Sequence, residues 1–247
     1  IDKTIAAGYD RKLSAFEVLM PALITSFEKN ISPTDTLYSL LIEPIEILKK
    51  WNYEAGENSI ATTLAIEWAQ KLSSSIQRVY IDEGWDDQVT LVKKFATTAT
   101  QEELLLPLLR VVNELKSKFK KWEIPWGTIN RYQRISSNIE QKFNDAAPSF
   151  PVGFASASWG MLPSYNSRYY SGTNKRYGVS GNSFVCAVEF GKKIKAKSLL
   201  AGGNSGNQSS KHFTDQLEMY TKGIFKDVLF YKEDVLKNAE RTYRPGE

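Results

Sequence analysis

The chain has 247 residues, enough for one large domain or two small ones, with 32 Lys and Arg against 28 Asp and Glu. Its 42% hydrophobic and 24% charged residues form a globular mixture, which excludes disorder over most of the length. One Cys and one His exclude an internal disulfide and a multi-histidine metal site, so we expect no zinc or other metal. We also expect no cofactor. No apolar run reaches the roughly 18 residues of a membrane span.

The basic residues form two short clusters, which are the natural places to look for a nucleic-acid site. The clusters are Lys192, Lys193, Lys195 and Lys197, and Lys116, Lys118, Lys120 and Lys121. Neither lies beside a helix–turn–helix, zinc-finger or RNA-binding signature. We therefore predict that they are solvated turns and helix ends and that the protein has no nucleic-acid partner.

Residues 1–122 show helical periodicity and are predicted to form a small helical bundle. Ser14 followed by Glu17 has the pattern of a capping box, which predicts a helix from Ser14 to about Phe27. A second helix is predicted to start near Ser32, where the following proline would occupy the first helical position.

Three more helices are predicted in this half. Asn58 or Ser59 can cap the first of them, and the second covers about Asp87 to Ala96. Thr100 and Glu103 form another capping box, and a wide apolar face follows it. The predicted helical subdomain therefore extends to residue 122.

Residues 123–247 change character and are predicted to be rich in strands. Ser183 to Phe190 and Ile194 to Ala201 are the strongest strand candidates, and the three residues between them are short enough for a hairpin turn. Because the first strand is apolar on both faces, we expect it to be covered on both sides, with Cys186 an inert core residue. This predicts a layered sandwich.

Shorter elements follow the hairpin. A glycine-rich polar loop over residues 202–210 leads to a predicted helix from His212 to Tyr220. A strand over Phe225 to Tyr231 and a helix over Glu233 to Ala239 are predicted after it. The fold class is therefore α+β.

The second half also carries a family resemblance. Gly181 to Val185, Ala187 to Phe190, Leu199 to Gly206 and His212 to Gln216 resemble, in order and spacing, the C-terminal end of the penicillin acylase family. The segment from Pro125 through Arg131 looks like the element that precedes the last strands in that family. Within the family the chain resembles the acyl-homoserine lactone and aculeacin-type acylases more than the strict penicillin G enzymes.

The resemblance implies an N-terminal nucleophile hydrolase with an αββα sandwich, which this chain would contain incompletely after its helical half. In such enzymes the first residue of the large subunit is a Ser, whose α-amine acts as base through a water, and an Asn and a backbone N–H hold the oxyanion. Residue 1 here is Ile1. We therefore expect no catalytic residue in this chain, which would be an inactive C-terminal fragment of the large subunit.

The resemblance further implies the partners of such a fragment. These are the small subunit and the N-terminal part of the large subunit, with a small-molecule linear amide from an antibiotic, a lactone or a lipopeptide as substrate. The family implies a periplasmic or secreted location. Exposed sheet edges of an isolated fragment would favour a homodimer.

Four residues are candidates for supporting an active site from a distance. Asn182 stands where the cephalosporin acylase branch has an acidic residue that orients the active-site His; Asn can form hydrogen bonds but cannot stabilise a positive charge in the same way. The alternative role is a hydrogen bond at the start of a strand. His212 and Asp215, three apart, and the adjacent Gln216 have the alternative role of tying down a loop.

Trp126, Trp159 and Tyr177 belong to an aromatic-rich zone and are candidates for the wall of a substrate pocket. The alternative is that these rings pack the rims of a sheet. The same zone supports a second function, a non-catalytic module that binds carbohydrate, and a protein-binding module is the third interpretation.

Overall fold

The computed structural model describes residues 1–83, 87–244 and 246, without the side chains of 79–83. The helices are α1 (Asp2–Gly8), α2 (Phe16–Asn30), α3 (Thr36–Lys49), α4 (Ile60–Glu83), α5 (Gln88–Thr98), α6 (Gln101–Phe119), α7 (Trp126–Ile129), α8 (Leu217–Lys222) and α9 (Lys232–Lys237). The strands are β1 (Asn130–Tyr132), β2 (Phe150–Pro151), β3 (Tyr165–Tyr169), β4 (Arg176–Gly181), β5 (Phe184–Glu189), β6 (Lys195–Leu200) and β7 (Lys226–Asp227). The predicted α+β class is confirmed. No helix of the described residues is both long and apolar enough to cross a membrane.

The residues group into two compact units, Asp10–Gly181 and Ile1–Tyr9 with Asn182–Glu247. The larger unit therefore contains helices α2 to α7 together with the first strands. The predicted boundary after residue 122 lies inside the larger unit, where the sequence changes from helical to strand-like periodicity. The predicted division into subdomains stays a prediction.

Helix α4 is the centre of the helical part of the larger unit. It packs against α3, α5 and α6, and residues 61–69 are buried without interruption. Trp68 is wholly buried, and its Nε1 donates a hydrogen bond to the Leu104 carbonyl of α6 at 2.8 Å. The apolar stripe of α6 completes this core with Leu104, Leu105, Leu108, Val111, Val112 and Leu115. Burial of these stripes, more than helix propensity, stabilises the arrangement.

The predicted capping residues are correct for two helices and wrong for a third. The Thr100–Glu103 capping box is confirmed, and Ser59 Oγ accepts from the Thr62 amide at 3.0 Å at the start of α4. The Ser14–Glu17 capping box is wrong. Ala15 is the residue before α2 and has no side-chain acceptor to cap it, and the Glu17 carboxylate is paired with Lys12 at 2.6 Å instead.

Helix α3 begins later than predicted. Ser32 lies in a turn, in which its backbone amide donates to Asp35 Oδ2 at 2.9 Å. This bond holds residues 32–35 out of the helix, and Thr36 is the first helical residue. Local hydrogen bonds of Ser and Asp compete with helix starts in this way.

The four-stranded sheet of the larger unit has the order β2-β1-β4-β3. Strands β1 and β4 are parallel, whereas β1 with β2 and β3 with β4 are antiparallel. Asn130 is paired with Arg176, which in turn is paired with Tyr169. The register therefore brings polar residues of β1, β3 and β4 together at one place in the sheet.

In the smaller unit the predicted hairpin is confirmed. Strands β5 and β6 pair antiparallel from Phe184 opposite Leu200 to Glu189 opposite Lys195, and β7 adds to the other side of β6. The predicted strand over Phe225 to Tyr231 is reduced to the two residues of β7. Helix α8 begins at Leu217 rather than at His212, because the Gln216 amide is bonded to the Gly202 carbonyl and residues 212–216 form turns.

The faces of β5 contradict the expectation of a strand covered on both sides. Phe184, Val188 and Phe190 are 62%, 45% and 84% exposed, and Cys186 is exposed as well. The prediction of an inert core cysteine is therefore wrong. The described residues supply no layer over this face of β5, so the αββα layering stays a prediction.

Candidate functional site

The larger unit contains a cavity of about 270 Å³. It lies against α4 and the first residue of α5 on one side and against α7, the segment 155–159 and β3 on the other. Its lining consists of Ile66, Gln70, Ser73, Ile76, Gln77, Gln88, Trp126, Ala155, Ser156, Ser158, Trp159, Tyr165, Asn166 and Ser167. Two of the three predicted wall residues, Trp126 and Trp159, are among these.

Three aromatic side chains form a fixed part of the lining. Trp126, Trp159 and Tyr165 are each at most 5% exposed. Trp126 Nε1 donates to the Phe154 carbonyl at 2.9 Å, and the Tyr165 hydroxyl donates to the Arg131 carbonyl at 2.7 Å. Because all three rings are buried, and the polar atoms of Trp126 and Tyr165 are already bonded, they contribute a small, rigid apolar surface to the cavity.

The polar part of the lining is neutral. Gln70, Ser73 and Gln77 follow one another at helical spacing along α4 and lie on one face of the helix. Gln88, Ser156, Ser158, Asn166 and Ser167 add further hydroxyl and amide groups. None of the residues found to line the cavity is an Asp, Glu, His, Lys or Arg.

A buried ion pair lies beneath this polar face. Arg176 Nη1 donates to Glu67 Oε1 at 2.7 Å and to Gln70 Oε1 at 2.6 Å, and Nη2 donates to the Ser167 carbonyl at 2.5 Å. The side chains of Arg176 and Glu67 are 4% and 8% exposed. The two charges therefore compensate each other below the cavity surface. Gln70, which lines the cavity, is hydrogen-bonded to Arg176 of this pair.

Asn130 extends this network into the sheet. Its side chain is wholly buried, and its Nδ2 donates to the Val152 and Phe154 carbonyls at 2.8 and 3.0 Å. Its Oδ1 accepts from Ser167 Oγ at 2.6 Å. The network thus fixes Ser167, one residue of the cavity lining, from below.

The sequence analysis missed Glu67 and Arg176 as functional candidates. A signal for the first was present, since Glu67 is the single charged residue in the otherwise apolar and polar-neutral run 60–70. A lone carboxylate on a buried helix face predicts a buried basic partner. Nothing in the sequence indicates which of the 32 Lys and Arg residues that partner is.

Tyr177 is not one of the residues found to line the cavity. It is wholly buried, its hydroxyl donates to Asp145 Oδ1 at 2.9 Å, and its ring stacks on Phe143 at 4.8 Å. Burial and the hydrogen bond to Asp145 raise the pKa of this phenol above its usual value. In the structure the Tyr177 ring packs on Phe143, and its predicted place in a substrate wall stays a prediction.

The four other candidate residues lie in the smaller unit. His212 Nδ1 is 2.7 Å from Asp215 Oδ2, as the three-residue spacing predicts, and both side chains are partly exposed. Gln216 is 4% exposed, and its Nε2 donates to Asn204 Oδ1 at 3.2 Å. Asn182 is exposed just before β5.

These contacts tie the glycine-rich loop to the segment that follows it. The Ser205 amide donates to the His212 carbonyl at 3.0 Å, and a Cβ atom on Gly203 would lie 2.2 Å from the same carbonyl oxygen. Only glycine fits at residue 203. Within the described residues the His212 ring is bonded to Asp215 and to no hydroxyl or thiol, and no group of three or more His, Cys, Asp or Glu could hold a metal.

Comparisons with known proteins add the remaining findings. The family model described as penicillin amidase matches residues 1–237. Among solved structures, a thermostable penicillin G acylase from Alcaligenes faecalis is similar to this chain at 15% sequence identity and a TM-score of 0.43. That similarity covers 95% of this chain and 47% of the acylase chain, so this chain spans about half the length of the solved protein that it matches.

Proposed function

Because the chain belongs to the penicillin amidase family, we propose that it is the C-terminal part of the large subunit of an enzyme that hydrolyses linear amides. The observation that carries this proposal is the family match over residues 1–237, which includes residues of both compact units. Membership of this family supports hydrolysis of amides as the general type of reaction.

The nucleophilic Ser belongs, in this proposal, to polypeptide outside this chain. The contacts of His212 support this division of roles, since its ring pairs with Asp215 and holds no hydroxyl or thiol within the described residues. An activated Ser or Cys would need a base at hydrogen-bond distance. His212, Asp215 and Gln216 then position the glycine-rich loop, and Asn182 stands at the entry of β5 as a positioning residue.

The cavity in the larger unit supplies one wall for the substrate. Trp126 and Trp159 line it and are held rigidly, so they offer a preformed surface to one part of the amide substrate. The substrate class that the family branch implies is an amide with a long acyl chain, as in acyl-homoserine lactones or lipopeptides, or the side chain of an antibiotic.

The partners of the chain follow from the same proposal. The small subunit and the remainder of the large subunit complete the enzyme, and the exposed apolar face of β5 is the surface where that polypeptide packs. Phe184 and Val188 support this role, because they lie on one face of the strand and both are exposed. The location implied is the periplasm or the exterior of the cell.

An amidase assay tests the proposal. The chain alone and the chain co-expressed with the rest of its precursor are each incubated with N-acyl-4-nitroanilides that carry phenylacetyl and long-chain acyl groups. We expect turnover by the completed protein and none by the chain alone, with or without the substitution His212→Ala. Robust turnover by the isolated chain that a substitution in it abolishes contradicts the proposal, as does an inert completed protein.

A non-catalytic module that binds carbohydrate is the second candidate function. The cavity favours this function, because its uncharged hydroxyl and amide groups can form hydrogen bonds with a carbohydrate without any catalytic group. This candidate predicts binding without turnover in both the isolated chain and the completed protein.

A further inference from the structure

We propose that the cavity between α4 and β3 binds an uncharged sugar ring of the N-acetylhexosamine type. The inference goes beyond the proposed amidase function, since it assigns to this cavity a ligand that is not the acyl chain of the amide. It concerns binding alone and includes no covalent step.

The size of the cavity fits one ring. Its volume is about 270 Å³, slightly below the roughly 300–1,000 Å³ of pockets that enclose drug-sized ligands. A single hexose ring with a short substituent fills such a space, whereas a long acyl chain or a second ring must extend out of it.

The charge of the lining selects a neutral group. All the residues found to line the cavity are uncharged. The charge of Arg176, which contacts the lining residue Gln70, is already paired with Glu67. An ionised ligand would lose its hydration without gaining an opposite charge, which is costly.

The hydrogen-bonding groups of α4 complement hydroxyl and amide groups. Gln70 Oε1 accepts from Arg176, which fixes the side-chain amide and leaves its Nε2 donors available, since no partner is found for them within the described residues. Ser73, Gln77 and Gln88 are exposed and likewise form no side-chain hydrogen bond there. Each offers both donors and acceptors, as a sugar hydroxyl or an acetamido group requires.

Apolar surface is interspersed with these polar groups. Trp126 and Trp159, on the side of the cavity opposite α4, and Ile66, on α4 itself, are each at most 5% exposed and line the cavity. A sugar ring has an apolar face of C–H groups and a rim of hydroxyls, so it matches a cavity whose lining combines indole surface with hydroxyl and amide groups. Because both indole rings are buried, the site needs little ordering on binding.

The test measures binding to the full 247-residue chain and needs no turnover. N-acetylglucosamine is titrated while the side-chain amide signals of glutamine and the indole N–H signals are followed by NMR. Glucosamine, which carries an ammonium group on the same ring, and glucuronate, which carries a carboxylate, are the charged counterparts. We expect saturable shifts with N-acetylglucosamine and binding weaker by about tenfold or more with both charged sugars.

Two neighbouring serines give a matched pair of variants. Ser73 lines the cavity, and Ser74 is exposed on the same helix but is not one of the lining residues, so Ser73→Gln fills the site and Ser74→Gln does not. We expect Ser73→Gln to weaken binding by about tenfold or more and Ser74→Gln to leave it unchanged, with equal melting temperatures.

The inference is overturned by any of three results: no saturable shift with N-acetylglucosamine, equal binding of the charged sugars, or equal effects of the two variants. Its failure is distinguishable from that of the proposed function. Sugar binding with no amidase activity in the completed protein removes the amidase proposal alone, and amidase activity without sugar binding removes this inference alone.

Discussion

Glu67 and Arg176 show how single residues anchor the cavity. The two charged groups are almost inaccessible and lie 2.7 Å apart, and Arg176 also donates to Gln70 and to the Ser167 carbonyl. Taking such charges out of water is expensive, and the pair is tolerated because the opposite charges offset each other and neutral acceptors satisfy further guanidinium donors. Removing one partner therefore leaves the second charge buried without compensation.

We expect Glu67→Leu to lower the free energy of unfolding of the larger unit by about 3–5 kcal/mol. All Trp residues lie between Trp51 and Trp159, so urea unfolding followed by Trp fluorescence reports on that unit. Glu114→Leu is the control, because Glu114 is partly exposed and pairs with Lys71 at 2.7 Å on the surface. Its cost is expected to stay below about 1 kcal/mol. Equal costs for the two variants would contradict the structural role of the buried pair.

At the scale of elements, hydrogen bonds at the helix starts decide where the helices begin. Thr100 and Glu103 satisfy each other's orphan amides at the start of α6, where the chain is free to adopt the extended conformation that a capping residue needs. Ser14 has the same sequence pattern with Glu17, yet α2 starts without a side-chain cap. The same sequence pattern therefore stabilises the start of α6 but not that of α2.

We expect Thr100→Ala to lower the free energy of unfolding by about 1 kcal/mol, because the Glu103 amide loses its acceptor. Ser14→Ala is the matched control and is expected to change it by less than about 0.5 kcal/mol. Both are measured by urea unfolding with the same Trp signal. A loss for Ser14→Ala as large as that for Thr100→Ala would show that Ser14 caps α2 in solution.

At the scale of the whole molecule, one face of β5 exposes large apolar side chains to solvent. Strand β5 pairs with β6 on one side and lies at the edge of the three-stranded sheet. Phe184 and Val188 on its exposed face are 62% and 45% accessible. Exposed apolar surface at a sheet edge favours association.

We therefore expect the isolated chain to self-associate at high concentration, and Phe184→Lys to shift it toward the monomer. Sedimentation equilibrium over increasing concentrations measures this. Val89→Lys is the control, since Val89 is 61% exposed but lies on α5 in the larger unit. A wild-type chain that stays monomeric at high concentration contradicts the prediction, as does an equal effect of the two substitutions.

The sequence by itself determined the features that depend on neighbouring residues. The capping box at Thr100, the cap at Ser59 and the hairpin of β5 and β6 all follow from patterns within a few positions, and the structure confirms each. The family resemblance was also readable, because its residues occur as contiguous segments in order, and the match over residues 1–237 confirms it. Caps, turns and periodic elements depend on residues that are close in the sequence, so the sequence alone can indicate them.

Only the tertiary structure decided the features that join distant residues. Glu67 and Arg176 are 109 positions apart, and no local pattern selects one Arg among the basic residues. The cavity takes its lining from α4, α7 and β3, and only the packing of these elements shows that Trp126 lines it whereas Tyr177 is not among the lining residues found. The physical reason is that burial and ion pairing are properties of surfaces brought together by folding, and the sequence records their residue types but not their partners.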